Sequence, residues 1–181
     1  MRAMRRATSM LPWVAILLVA APALAAPQEW VQYTHPQLGF ALSYPKSWGI
    51  SPGVTGIAFM AVGPNPAGVV DLRLSVNVTM EQLPPKTTID EYDAQNESGM
   101  GLLFQGYRRL RIDRTKVGGV PALLRYYTWK RNDGIELYQM QLVTVVDNRG
   151  YVVTGTTASA SKRLMDEAKL LVSILLTFRP R

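Results

Sequence analysis

Residues able to do chemistry are few in this sequence, and they fall into two clusters of opposite charge. Asp90, Glu91, Asp93 and Glu97 form the acidic one, and Asp90, Asp93 and Glu97 recur at i, i+3 and i+7. On a helix that spacing lines up three carboxylates on one face. Hard cations such as calcium take oxygen donors of this kind, and paired carboxylates are the raw material of acid–base work. Acids in a first helical turn also offset the helix dipole without any ligand. No glycine-turned calcium loop surrounds them, and helix spacing alone makes no substrate pocket. The expectation is therefore a solvated acidic face with no metal, and calcium at Asp90, Asp93 and Glu97 is the alternative.

The basic cluster is Arg108, Arg109, Arg111, Arg114 and Lys116, five cations in nine residues relieved only by Asp113. Strand alternation sends Arg109 and Arg111 to the face opposite Leu110 and Ile112. Arg125, Tyr127 and Trp129 share one face of the next strand by the same rule. If the hairpin register joins these faces, arginines interleave with aromatics in a surface suited to an acidic partner, an anionic lipid surface or a stacked ligand. The bland counterpart is a wet strand face whose arginine stems cover aromatic rings. Arg109, Arg111, Arg125, Tyr127 and Trp129 are the expected interaction patch.

Other chemistry is closed off by composition and by local covalent geometry. With Cys 0 there are no disulfides, thiol nucleophiles or cysteine-ligated metals. A single histidine, His35, leaves little room for histidine-based metal or acid–base sites. Gly49-Ile50-Ser51-Pro52-Gly53 spells the G-x-S-x-G of a hydrolase elbow. The residue after the nucleophile must donate its N–H to the oxyanion, and Pro52 has none. Met80, Met100, Met140 and Met165 are scattered, as gap-fillers rather than copper ligands are. No nucleophile–base pair can be assembled, so no enzyme is expected.

The elements that must position these residues read mainly as strands. Residues 30–33 and 40–44 make two short strands around a His35-Pro36 to Gly39 turn, and 56–62 is apolar enough for a buried one. Leu72, Leu74, Val76 and Val78 alternate with Arg73, Ser75, Asn77 and Thr79, the clearest period-two segment. Thr88 and Glu91 form a capping box for a helix running to about Phe104, with Gly99 and Gly101 weakening its second half. Turns at Gly118-Gly119, Asp133-Gly134 and Asn148-Arg149-Gly150 then divide a strand-rich stretch into a meander. The Asp133-Gly134 pair is expected to hold positive φ at both central positions. A last helix from about Ser161 carries Leu164, Ala168, Leu171 and Leu175, with Met165 and Val172 widening the stripe. Trp30 and Trp48 are expected to plug sheet ends. The fold class that fits is α+β, an antiparallel sheet with helices packed against it.

The first 25 residues have the make-up of a secretory leader. Arg2, Arg5 and Arg6 precede an apolar run at 10–21, and Ala23 and Ala25 form an A-x-A site with the cut between Ala25 and Ala26. The adjacent arginines raise the twin-arginine route, but Ala7-Thr8-Ser9 does not continue as that signal does. Spanning a bilayer takes about 20 apolar residues; this run is shorter and holds Pro12 and Pro22, so an uncleaved anchor is the lesser alternative. The expectation is one exported domain at 26–181, periplasmic or extracellular, with no integral membrane segment after cleavage. Leader arginines supply three of the formal net charge of +7, and the mild remainder argues against nucleic acid. Asn77-Val78-Thr79 and Asn96-Glu97-Ser98 match glycosylation sequons, a pattern short enough to occur by chance.

The segment Leu38-Gly39-Phe40-Ala41-Leu42-Ser43-Tyr44-Pro45-Lys46-Ser47-Trp48 resembles the GF-x-L-x-YP-x-x-W opening of the PsbP-like superfamily. That group includes extrinsic PsbP subunits of photosystem II, periplasmic DcrB-type proteins and a Ran-binding import factor. Further matches are Leu83-Pro84 with Thr88-Ile89-Asp90-Glu91-Tyr92, Gly118-Gly119-x-Pro121-Ala122, and Gly150-Tyr151-Val152-Val153-Thr154-Gly155. The final helix matches as well, so the likeness runs from Trp30 to Phe178. It implies an α-β-α sandwich around an antiparallel sheet and a non-catalytic accessory or binding role. The expected function is surface recognition of an acidic, envelope-associated protein partner, without a cofactor. An extrinsic photosystem II type of protein with bound calcium is the alternative, open only to a photosynthetic host.

Overall fold

The computed structural model describes residues 28–51 and 55–181. The leader, its Ala25–Ala26 junction and Pro52-Gly53 of the G-x-S-x-G lie outside the described residues. No helix among the described residues is long and apolar enough to cross a membrane.

The elements follow in the order β1 (Trp30–Thr34), β2 (Phe40–Pro45), β3 (Gly49–Ile50), β4 (Phe59–Val62), β5 (Ser75–Gln82) and α1 (Ile89–Leu103). After them come β6 (Arg108–Val117), β7 (Val120–Lys130), β8 (Glu136–Val146), β9 (Arg149–Ala158), α2 (Leu164–Leu176) and β10 (Arg179–Pro180). Seven strands form one sheet in the order β3-β4-β5-β9-β8-β7-β6, and β1, β2 and β10 form a second. Every pairing is antiparallel.

Turn chemistry explains the meander. Gly118-Gly119 and Asp147-Asn148 hold positive φ at both central positions, the geometry whose twist matches flanking antiparallel strands. The Asp133-Gly134 expectation is corrected: only Gly134 has positive φ. That hairpin is longer, closed by the Arg131 N–H donating to the Ile135 carbonyl and the Gly134 N–H donating to the Arg131 carbonyl.

The two faces of the large sheet differ in chemistry. Val76, Val78, Leu124, Met140, Leu142, Tyr151 and Val153 point into the main core, where Ala168, Leu171, Ile174 and Leu175 of α2 meet Phe40, Leu42 and Phe178. At Gly155 an added Cβ would lie 3.1 Å from Leu171 Cβ, so the missing side chain sets how closely α2 approaches. On the opposite face Leu83, Tyr92, Val143 and Val152 form a smaller buried apolar cluster, and α1 rests on it. Tyr92 reaches the sheet because Gly150 has no Cβ; one built there would come within 2.4 Å of the Tyr92 ring.

Trp48 is buried against Gly63, as a plug should be. Trp30 does not follow, being 40% exposed: it lies on β1, an outer strand of the smaller sheet. Met165 likewise leaves the α2 stripe and faces solvent, and Ile174 takes the inward position.

Candidate functional site

The acidic and basic clusters are partners of each other. The Thr88 hydroxyl accepts from the Glu91 N–H and the Glu91 carboxylate accepts from the Thr88 N–H, which starts α1 as expected. From this helix Asp90 pairs with Arg114 at 2.8 Å, Asp93 with Arg125 at 2.5 Å and Glu97 with Arg109 at 2.6 Å. Tyr107 donates its hydroxyl proton to Glu97 at 3.2 Å. Burial holds the Tyr107 phenol up at about 12, so it remains a donor across the physiological range. The i, i+3, i+7 face is therefore turned toward the basic hairpin, with Asp93 buried, Glu97 half-buried and Asp90 still open to solvent. No group of three or more potential metal ligands occurs among the described residues.

The expected patch is divided by the sheet. A bulge at Leu110 shifts the β6–β7 register, so Arg109 lies opposite Tyr127 while Arg111 lies opposite Tyr126. Inserting one residue turns the following side chains to the other face. Arg109 consequently joins the α1 face, whereas Arg111 sits over the Tyr126 ring on the reverse and pairs with Asp113. Arg125, Tyr127 and Trp129 do share one face, but α1 and the residue after it cover it. Arg125 is 0% and Tyr127 1% exposed, and Trp129 stacks on Phe104 at 4.3 Å. The surface expected of Arg125 and Tyr127 is corrected on this ground: both are interior.

Arg125 is tied into the sheet as well as to α1. It donates to the Gln141 side-chain oxygen at 3.3 Å and to the Asp93 carbonyl at 3.2 Å, while its Nε finds no partner among the described residues. Gln141 in turn donates to Thr154. One rung away, the Trp129 indole donates to Gln139 at 2.6 Å and Gln139 donates to Thr156 at 2.8 Å. Two parallel polar ladders therefore cross β7, β8 and β9 beneath the helix. For Asp93, burial pushes the carboxyl above the ordinary aspartate range, and Arg125 opposes that push.

Between α1 and this polar floor lies an open groove of about 470 Å³. Its floor is Thr79, Glu81, Gln141, Val152 and Thr154; its walls include Tyr92, Asn96, Met100, Leu103 and Phe104. Amides, hydroxyls and one carboxylate face apolar and aromatic walls, so the groove offers hydrogen-bonding groups beside apolar contact area. The sequence carried a signal for it that charge clusters obscured. In β8 and β9 the polar residues Gln139, Gln141, Thr154 and Thr156 alternate with Met140, Leu142 and Val153, so one face of a strand pair covered on both sides is polar.

A seven-stranded antiparallel sheet with two helices, one of them C-terminal, defines the PsbP-like α+β fold. Within that class the chain belongs to the DcrB family, whose model matches residues 66–171. Solved structures agree on the fold. Cyanobacterial PsbP from Synechocystis superposes with TM-score 0.61 at 12% identity, over 91% of this chain and 99% of that one. Protein PA94 of unknown function from Pseudomonas aeruginosa gives 0.57 at 18% identity, over 84% and 97%. LpqN of Mycobacterium tuberculosis, involved in cell envelope biogenesis, gives 0.58 at 13% identity, over 83% and 90%. No curated protein matches the sequence.

Proposed function

We propose that this chain is an exported, non-catalytic accessory protein that works at the cell envelope by recognition rather than bond-making. The observation that carries the reading is the groove under α1, with its hydrogen-bonded Gln–Thr floor and Met100, Leu103 and Phe104 in its wall. Family membership and the envelope role of LpqN support the location. Recognition here needs no charge on the ligand, because the cations nearest the groove are already paired to α1 carboxylates. The calcium-binding photosystem reading has no specific observation in its favour, since Asp90, Asp93 and Glu97 each hold an arginine.

Photo-crosslinking tests the reading. A benzophenone side chain at Leu103, exposed and in the groove wall, should give a discrete adduct in envelopes of the native host. The same group at Val70, equally open but outside the groove, should not. Identical adducts from both positions, or none from Leu103, would remove the groove as the recognition site.

A further inference from the structure

Strand β6 ends the large sheet, with β7 as its only neighbour. Apart from that ladder, no backbone hydrogen bond involves residues 108–117 among the described residues. Alternate N–H and C=O groups of an antiparallel strand point away from its partner, so β6 presents a row of free donors and acceptors. At 10 residues it is a long edge. Natural proteins shorten, bend or charge such edges to prevent pairing. Here the bulge bends only the first end, and 111–117 runs straight against β7, residue for residue.

The side chains along that run carry a second pattern. Arg111, Arg114 and Lys116 stand on it, with Ile112 between them 37% exposed and Leu110 at the bulge 40% exposed. Guarding an edge needs charge alone; open apolar side chains add contact area for something that docks. Arg108 and Lys116 have no ion-pair partner among the described residues, and the Arg111–Asp113 and Arg114–Asp90 pairs are solvent-exposed. Pairs of that kind are weak in water and can exchange for carboxylates of a partner. A second copy is the wrong occupant: β6 against β6 would set cations of one copy beside those of the other, and like charges across a ladder repel.

We propose that the outer edge of β6, over residues 111–117, docks an extended acidic segment of a partner protein, which joins the sheet as an additional strand. Main-chain hydrogen bonds supply the affinity and the cations select the charge. This surface is separate from the groove under α1, so either can fail alone.

The test uses the isotopically labelled protein and an end-blocked peptide of about eight alternating glutamate and valine residues, a length matched to the strip. Amide resonances of 111–117 should shift, and alternate amides should exchange roughly tenfold more slowly as they become hydrogen-bonded. A lysine–valine peptide should do neither, nor should a glutamate–valine peptide N-methylated at alternate residues. The variant K116E should keep the melting temperature and weaken binding by about threefold or more. The proposal is overturned if the 111–117 amides do not respond, or if the N-methylated peptide binds as well as the parent. It is also overturned if shifts gather on the α1 groove. Sedimentation showing a dimer with these amides protected before peptide is added would assign the edge to a second copy instead. Loss of the peptide effect with the Leu103 adduct intact would discard the edge and leave the groove reading standing.

Discussion

Arg125 brings a guanidinium into a site with no solvent exposure, and its Nε has no partner among the described residues. Its partner Asp93 is pulled two ways, by burial toward the neutral acid and by Arg125 toward the carboxylate. Removing one member of a buried pair strands the other, at about 3–5 kcal/mol, whereas replacing both with apolar residues of similar size is often neutral or better. Arg125→Met should therefore destabilise the protein by about that amount in urea unfolding. The double variant Arg125→Met/Asp93→Leu should recover most of the loss, and an additive double loss would mean that the pair is not a unit. Alternation showed that Arg125, Tyr127 and Trp129 share a face. It did not show that α1 would lie over that face, because the contact joins residues brought together only by the tertiary fold. The bulge at Leu110 was hidden for a similar reason: a one-residue slip leaves no trace in composition, yet it sends Arg109 and Arg111 to opposite sides.

At the scale of elements, α1 is a helix with a strong start and a thin seat. Its capping box was readable in Thr88 and Glu91, since two residues three apart contain the whole interaction. What it packs on was not, because only Tyr92, Asp93 and Met100 of its residues are buried. The cap carries a pH signature. Hydrogen bonds from the Thr88 backbone and hydroxyl hold Glu91 below the ordinary glutamate range. A carboxylate lowered in the fold stabilises above its unfolded pKa, and that share is lost as pH falls through the folded value. Glu91→Gln should lower the melting temperature near neutral pH, and the gap to the parent should close as pH falls below the ordinary glutamate pKa. A gap independent of pH would show that the charge plays no part. In the meander, Gly118-Gly119 was legible because the turn demands positive φ twice; Asp133-Gly134 misled, since the dipeptide sits inside a longer loop.

For the molecule as a whole, opposite charges that looked like two sites form one seam between α1 and the β6–β7 hairpin, buried at Arg125–Asp93 and open at Arg114–Asp90. Its consequence for ions is direct: a divalent cation would have to displace Arg114, Arg125 and Arg109 from the three acids. Millimolar calcium should leave the melting temperature unchanged. A saturable rise abolished by Asp90→Asn/Asp93→Asn would instead establish the calcium reading, because only a ligand that prefers the folded state raises it. The α+β class was legible because strand alternation and two helical stretches are local patterns. The division of the sheet into a greasy and a polar face depended on which helix covers which side, a long-range choice.

The pairing of β2 with β10 joins elements from opposite flanks of the described chain, and α2 fills the space between the two sheets. Glu167 adds a clasp, accepting from the Ala67 N–H and from the hydroxyls of Thr157 and Ser161. The β2–β10 pairing and the bond from Ala67 to Glu167 close long loops at high entropic cost, whereas β6 to β9 need only short turns. The order of assembly follows: the meander can form early from neighbouring sequence, while the main core closes late, once α2 and β10 have arrived. Until then the inward faces of Val76, Leu142 and Val153 stay uncovered, and apolar surface exposed in this way is prone to aggregate.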